Sequence, residues 1–442
     1  MSQKRKKGQL ERVVADAAGI DLGSREHFVA LPPDREQPVR KFGCFTGDLE
    51  AMADWLKVNR VATVAMESTG VYWVPVFQVL ERHGLEVHLV STKHMRAVPG
   101  RKTDVLDCQW IQHLHECGLV RSSFRPADAV CVVRGYVRHR DTLGEESGRH
   151  IQRMQKALEQ MNVQLHKVVS DITGETGLKI LDAILSGERD GAKLAALRDY
   201  RCRKSESEIA SALAGDFREE HLFCLRQELE AYRFVQKQMS HCEEEILARL
   251  KAFEPRGETT ALPKAKSKAT DGEVRLALFN ATGVDLTQVP GLGLKNLETL
   301  FAEVGLDLDK FRSAKAFASW AALAPKNFIT GGKRHRTPQS AASRVGQVFR
   351  MAAQTLANSK TALGAFYRRK RAQKGGAFAV AVTAHKLAKL FFSLLKDGES
   401  YVERGVDYYE QRYKTHRLKA ALRIIKEQGF HATLQPAPVA VP

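Results

Sequence analysis

Four carboxylates stand where a metal-dependent phosphodiester chemistry would need them. Asp21 ends the apolar stretch Ala17-Ala18-Gly19-Ile20-Asp21 and precedes Gly23 and Ser24. Glu67 ends a second one, Val61-Ala62-Thr63-Val64-Ala65-Met66-Glu67, which runs into Ser68-Thr69-Gly70. Asp104 and Asp107 lie three apart in Lys102-Thr103-Asp104-Val105-Leu106-Asp107, so on a helix both belong to one face. Acids at strand ends beside turn residues are acids at the lip of a sheet, where open α/β folds place their sites. Oxygen donors of this kind suit Mg²⁺ or Mn²⁺, and a pair of such ions clamps the attacking and leaving oxygens of a phosphodiester. Separate elements must supply the acids, because one strand cannot surround two ions. The plainer reading stands beside this one. A lone Asp after a strand is usually a turn residue or a helix cap, and Asp104 and Asp107 could simply favour their own helix dipole. Arg101 and Lys102, just upstream, either hold a phosphate oxygen or are solvated.

The elements that must position these acids follow from local pattern. Residues 14 to about 125 alternate short β-rich runs with helical ones. Strands are expected at 14–21, 27–32, 39–45, 61–67 and 86–91, and helices at 47–58, 71–83 and 104–117. Three closely spaced strands predict an antiparallel meander, and the helices at 47–58 and 71–83 predict parallel crossovers. That order is the order of an RNase H/RuvC-like mixed α/β sheet, assigned to a metal-binding domain over residues 1–127.

The rest of the chain reads as all-α. Residues 128–253 carry no strand signal. Ile151, Met154, Leu158, Met161 and Leu165 follow a 3-4-3-4 spacing, and Leu225, Leu229, Tyr232, Met239, Ile246 and Leu250 nearly repeat it, with Gln236 and Glu243 interrupting. These are coiled-coil-like seams, equally compatible with a helical hairpin inside one chain. Residues 254–273 are Lys-rich and Pro-punctuated and read as a linker. A C-terminal helical domain is expected over 274–425, with a tail at 426–442. Within it, Val289-Pro290-Gly291-Leu292-Gly293 resembles a helix-hairpin-helix turn, where Gly291 and Gly293 would let backbone N–H groups approach a phosphate. Downstream come Leu323-Ala324-Pro325, the loop Ile329-Thr330-Gly331-Gly332-Lys333, a helix from about 341 to 357 and an apolar helix at about 377–396.

Composition points to a polyanionic partner. Lys and Arg number 69 against 51 Asp and Glu, a formal charge of +18, and the pI is about 9.6. Basic residues cluster at Lys4-Arg5-Lys6-Lys7, Lys333-Arg334-His335-Arg336 and Arg368-Arg369-Lys370-Arg371. The seven cysteines form no CxxC and no zinc-finger grouping, which fits reduced thiols in a cytoplasmic protein. The N-terminus lacks a signal-peptide core. No uncharged apolar run approaches the ~18 residues of a membrane span, so no membrane partner is expected. His27, His113 and His115 read as structural histidines.

Taken together, these motifs resemble transposases of the insertion sequence 110 family, the DEDD transposases related to site-specific DNA invertases. The resemblance runs over nearly the whole chain: Gly19-Ile20-Asp21, Met66-Glu67-Ser68-Thr69-Gly70, Lys102 to Asp107, Val289 to Gly293, Leu323-Ala324-Pro325 and the Gly-Gly-Lys segment. It implies that Asp21, Glu67, Asp104 and Asp107 are the DEDD acids and bind Mg²⁺. It implies cutting and rejoining of donor and target DNA through a hydroxyl side chain that becomes a phosphoester, with a structured guide RNA pairing to both DNAs. It also implies a homo-oligomer, a tetramer built from dimers through the helical seams, acting in the bacterial cytoplasm at the nucleoid.

One departure concerns the nucleophile. The family has Ser before the glycine, whereas this chain has Thr330-Gly331-Gly332. Thr carries a hydroxyl too, with an added methyl that restricts χ1. Three readings follow: Thr330 is the nucleophile, Ser340 or Ser343 replaces it, or this copy is weak or dead. Lys333, Arg334, Arg336, Arg344 and Arg350 would flank the reacting phosphate, or form a solvated rim. Two other functions remain in competition, a RuvC-like structure-selective endonuclease that hydrolyses DNA with two metals and a non-catalytic nucleic-acid binder. No Walker A motif is present, so no nucleotide cofactor is expected.

Overall fold

The computed structural model describes residues 11–68, 70–90, 104–256, 269–324, 326–331, 333–337, 343–398 and 405–433. For residues 104–106, 269–270, 326–330, 333–337, 406 and 408–409 the description is of the backbone alone. Two compact units divide the chain, Met1–Arg125 and Pro126–Pro442.

The first unit is built on five strands: β1 (Ala17–Leu22), β2 (Glu26–Ala30), β3 (Val39–Gly43), β4 (Thr63–Glu67) and β5 (Glu86–Val90). They form one sheet in the order β3-β2-β1-β4-β5. The first three pair antiparallel, whereas β4 joins β1 and β5 joins β4 in parallel, the mixed RNase H-like arrangement expected. Period-2 alternation divides the sheet's faces. Ala18, Ile20, Leu22, Val64 and Met66 share one core with helices α1 (Thr46–Val58) and α2 (Trp73–Arg82). In α1 the buried residues Leu49, Met52, Ala53 and Leu56 keep the spacing of one helix face, and Asp48 secures its first turn by accepting the Phe45 N–H at 3.2 Å. The opposite face of the sheet receives helix α3 (Asp104–Glu116), which Gly118 terminates in the left-handed conformation at φ 68°.

The second unit opens with two 33-residue helices that pack on one another. These are α4 (Asp128–Gln160) and α9 (Glu219–Lys251). Between them in sequence lie α5 (Leu165–Val168), α6 (Glu175–Leu185), α7 (Gly191–Ala196) and α8 (Glu206–Ala212). The coiled-coil spacing is occupied within the chain itself. Met154, Leu158, Met161, Leu165, Leu225 and Leu229 are at most 1% exposed and share one core with Ile180, Leu181 and Leu194. These seam residues are therefore private core rather than the assembly surface that the resemblance implied, because α9 and the helices α6 to α8 cover them. The two interruptions have partners as well: Gln236 donates to Ser147 Oγ at 2.8 Å, and Glu243 accepts from Lys295.

The C-terminal part comprises α10 (Ala269–Thr282), α11 (Leu294–Val304), α12 (Ala314–Trp320), the hairpin β6 (Lys326–Thr330) and β7 (Lys333–Thr337), α13 (Arg344–Thr355), α14 (Ala362–Lys374), α15 (Gly376–Asp397) and α16 (Gly405–Glu427). Helix α10 begins inside the stretch read as linker, and α13 begins later than 341. The hairpin replaces the expected loop. Phe328-Ile329-Thr330 favours an extended backbone, and Thr330 pairs with Lys333 across a two-residue turn. Gly331 takes φ 55° there, a value glycine adopts freely. The core is aromatic: the Phe317 ring lies 5.3, 5.6 and 6.1 Å from those of Phe311, Phe392 and Phe391. Helix α15 is the one described helix long and apolar enough to cross a membrane, and half of its apolar window is buried in this unit. Three arginines of α4 fasten α11. Arg134 donates to the Ala302 and Glu303 carbonyls at 3.0 Å, Arg138 grips Glu303 with two 2.8 Å bonds, and buried Arg140 pairs with buried Glu298.

Candidate active site

The direction in which helix α3 crosses the sheet determines which strand ends its first turn reaches. Three steps along β4 fix its direction. Thr63 Oγ1 lies 3.0 Å from His115 Nε2, Ala65 packs with Ile111 and Val90, and Glu67 is one pleat further on. Along β1, Gln112 donates to the Ala17 carbonyl at 3.3 Å, and Gly19 lies against the backbone of Cys108 and Gln112. Residue numbers fall along α3 as they rise along both strands, so α3 runs antiparallel to them. Its first turn therefore reaches the C-terminal ends of β1 and β4, where Asp21 and Glu67 stand.

The same geometry explains Gly19. A Cβ there would stand 2.5 Å from the Cys108 carbonyl oxygen and nearer still to the Gln112 amide nitrogen. Only a residue without a side chain lets the helix backbone come this close to the strand. Asp21 is one pleat beyond Gly19 and so shares its face. The β1–β4 register places Ile20 beside Met66, making Asp21 and Glu67 neighbours at the next step.

Electrostatics ties Asp21 to Asp107. Cys108 is fully buried, and its thiol is pushed up to about 12, by burial first, then by the negative charge of Asp21, with Asp107 adding in the same direction. Both carboxylates thus act on one buried sulfur. Asp104 opens α3 and Asp107 follows one turn later. A cleft of about 430 Å³ lined by Asp21, Gly23, Ser24, Arg25 and Glu26 adjoins the lip. Ser68 secures the end of β4 by donating from its backbone N–H and its Oγ to the Val90 carbonyl at 3.0 and 3.2 Å.

These donors are carboxylate oxygens drawn from β1, β4 and α3, the set a hard divalent cation takes. Among the described residues no three His, Cys, Asp or Glu side chains yet stand close enough to enclose one. The Asp104 side chain and Lys102 lie outside the described residues.

The predicted nucleophile segment resolves into distinct local roles. Thr330 is the last residue of β6, at the turn of the hairpin. The backbone register pairs Thr330 with Lys333, Ile329 with Arg334 and Asn327 with Arg336. Gly332 and Ser340 lie outside the described residues. Ser343 is the N-cap of α13, its Oγ accepting the Gly346 N–H at 3.2 Å. Arg344 pairs with Asp141 at 2.8 Å. Arg350 donates to the Ala322 carbonyl at 2.7 Å, holding the turn that launches β6.

At the predicted helix-hairpin-helix turn, packing accounts for Gly291. It adopts φ 90°, and a Cβ would stand 2.7 Å from the Ala352 carbonyl oxygen of α13. Gly293 opens onto a cleft of about 580 Å³ lined by Glu243, Glu244, Asp271 and Lys295, the last paired with Glu243.

Sequence pattern gives Gly19 no packing role and singles out neither Cys108 nor Gln112. The available signal was a glycine two residues before an acid inside an apolar strand. It likewise left Arg350 with a phosphate rather than with the Ala322 turn.

Two family models match the chain. Residues 18–163 match the DEDD transposase domain of IS110, which takes in the sheet, all four acids and α4. Residues 285–368 match the transposase domain of the IS116/IS110/IS902 family, which takes in the Gly291 turn, the hairpin and α13. Among curated proteins no sequence matches significantly. With both domains present in the family's order and spanning just over half of its residues, the chain belongs to the IS110-family transposases.

Proposed function

We propose that this transposase cuts and rejoins DNA through a covalent hydroxyl–phosphate intermediate, with Asp21, Glu67, Asp104 and Asp107 holding divalent metal and Thr330 as the nucleophile. The observation that carries the reading is the antiparallel placement of α3 on β1 and β4, which delivers Asp107 and the start of α3 to the strand ends bearing Asp21 and Glu67. When bound, Mg²⁺ (or Mn²⁺) supplies Lewis-acid polarisation of the scissile phosphate.

The residues' own roles follow. The four carboxylates bind and orient the ions. The Thr330 hydroxyl attacks phosphorus, a threonine–phosphate ester forms, and the departing 3′-oxygen takes up a proton. A 3′-hydroxyl from a second strand then attacks that ester, and the Thr330 hydroxyl is restored. Each step exchanges one phosphoester for another, so no nucleotide cofactor is needed. Ser343 serves less well as nucleophile because its Oγ caps α13. The family resemblance supports the rest of the proposal, namely donor and target DNA, a structured guide RNA and a tetramer. With the seam residues buried inside the chain, such a tetramer would use other faces of α4 and α9.

The test incubates purified protein with Mg²⁺, the element's own non-coding RNA and labelled target DNA, comparing wild type with Thr330→Ala and Ser340→Ala. A denaturation-resistant protein–DNA band that disappears only in Thr330→Ala supports the reading. Loss only in Ser340→Ala moves the nucleophile along the segment. Cut ends with no adduct in any sample overturn the covalent mechanism in favour of a RuvC-like hydrolytic endonuclease.

A further inference from the structure

Helices α14, α15 and α16 extend beyond residue 368, where the second family match ends. Their charge is one-sided. Helix α14 carries Arg368, Arg369, Lys370, Arg371 and Lys374 and no carboxylate. Helix α16 carries six Lys and Arg against three Asp and Glu.

The basic residues of α16 are also ordered. Arg412, His416, Lys419, Arg423 and Lys426 recur at intervals of four, three, four and three, the spacing of one helix face. All five are exposed. From Arg412 to Lys426 the stripe runs 14 helical steps, roughly 21 Å at ~1.5 Å per residue. Of its charges Arg423 has Glu427 at 3.4 Å, and the other acids of the helix, Asp407 and Glu410, precede the stripe.

Further cations stand behind it. Lys386 of α15 and Lys370 of α14 lie 4.3 and 5.7 Å from the centroid of the same Phe366 ring. Arg369 lies 3.4 Å over Tyr413 of α16. Burial, and then the nearby charge of Arg412, push the Lys386 ammonium below its usual range. Like charges crowded in this way raise the free energy of the isolated protein, and a polyanion would relieve it. Duplex nucleic acid presents one negative charge per ~1.7 Å of axis, so a stripe of this length lies opposite more phosphates than it has cations.

We propose that the α16 stripe Arg412, Lys419, Arg423 and Lys426, backed by the α14 and α15 cations, is a second nucleic-acid surface that grips the phosphate backbone of duplex DNA, the partner of a transposase. It uses none of the sheet acids and no residue of the Thr330 hairpin. It serves grip rather than sequence choice, since phosphate contacts carry no base information.

The test measures binding of the full-length protein to a short duplex DNA of arbitrary sequence, and to the RNA duplex of the same sequence, over a KCl series. EDTA is present, so neither metal nor cleavage is required. The variant Arg412→Gln/Lys419→Gln/Arg423→Gln/Lys426→Gln should flatten the slope of log affinity against log salt by about three to four, at ~0.9 per lost phosphate contact. Loss on the RNA duplex alone, with DNA binding unchanged, overturns the proposal. A control with the same charge change elsewhere, Lys57→Gln/Lys156→Gln/Lys179→Gln/Lys193→Gln, should keep the wild-type slope. The paired variant Arg412→Lys/Arg423→Lys should also keep it, which separates charge from folding. An unchanged slope in the α16 variant, or an equal loss in the control, overturns the proposal. Unchanged binding with an altered oligomeric state would reassign the helix, through exposed Leu418, to a protein partner.

Discussion

Gly19 of β1 lies directly against Gln112 of α3, so close that a Cβ at position 19 would collide with the Gln112 amide nitrogen. Backbone meets backbone at this point, and the position of the acidic lip depends on it. Gly19→Ala should push α3 off the strand at a cost of at least ~2 kcal/mol, the scale of overpacking a tight core. Thermal unfolding of the variant gives the number. Unchanged stability would mean that α3 does not sit this close to β1.

Asp107 provides the matching chemical test. Asp107→Asn keeps the shape of the side chain and removes its charge beside Asp21 and Cys108. Strand cleavage should fall on the order of 10²-fold or more, while metal-free stability should hold or rise as like-charge repulsion is relieved. Calorimetric Mn²⁺ titration should show weakened binding. Full metal affinity in the variant would remove Asp107 from the ligand set.

Acid should loosen the first unit through His115. Burial, with a smaller contribution from His88, holds its imidazole down to about 4 from the ordinary 6.5. The folded pKa lies below the unfolded one, so the unfolded chain takes up the proton first as pH falls. The stability contribution is whole above pH ~6.5 and is lost progressively toward pH ~4, by up to ~3 kcal/mol at ~1.4 kcal/mol per unit. Buried His27, also shifted downward by burial, acts in the same direction. Urea unfolding at neutral and at mildly acid pH measures the effect, and His115→Gln should reduce it. An equal pH dependence in the variant would place the proton elsewhere.

Ser343 separates capping from catalysis. Ser343→Ala should cost ~1 kcal/mol, the usual value of an N-cap. Ser343→Asp should retain the cap while removing the hydroxyl. The protein–DNA adduct should persist in both, and its loss in both would make Ser343 the nucleophile.

The N-terminal architecture was legible because its strands are short, apolar and bounded by turn residues. The places of Asp21 and Glu67 near strand ends were legible because each closes an apolar run. The Thr330 hairpin was not, because Thr-Gly-Gly-Lys among polar residues lacks the alternation that marks a strand. Arg344 was read as a phosphate contact because its partner, Asp141, lies 203 residues away in sequence. The packing of Gly291 was not legible, because a sequence does not show the Ala352 carbonyl against which it lies.

The amino-acid sequence by itself determined the order of strands and helices, the four acids, the hydroxyl before two glycines and the basic charge, since each depends on residue type and near-neighbour spacing. Tertiary structure alone decided which seam residues are private core, that α3 runs back over β1 and β4 to bring Asp107 toward Asp21, and that Ser343 and Arg344 already have partners. A 3-4 repeat has the same spacing whether its partner helix lies in the same chain or in another. A carboxylate at a strand end has neighbours only once a distant helix is laid across the sheet.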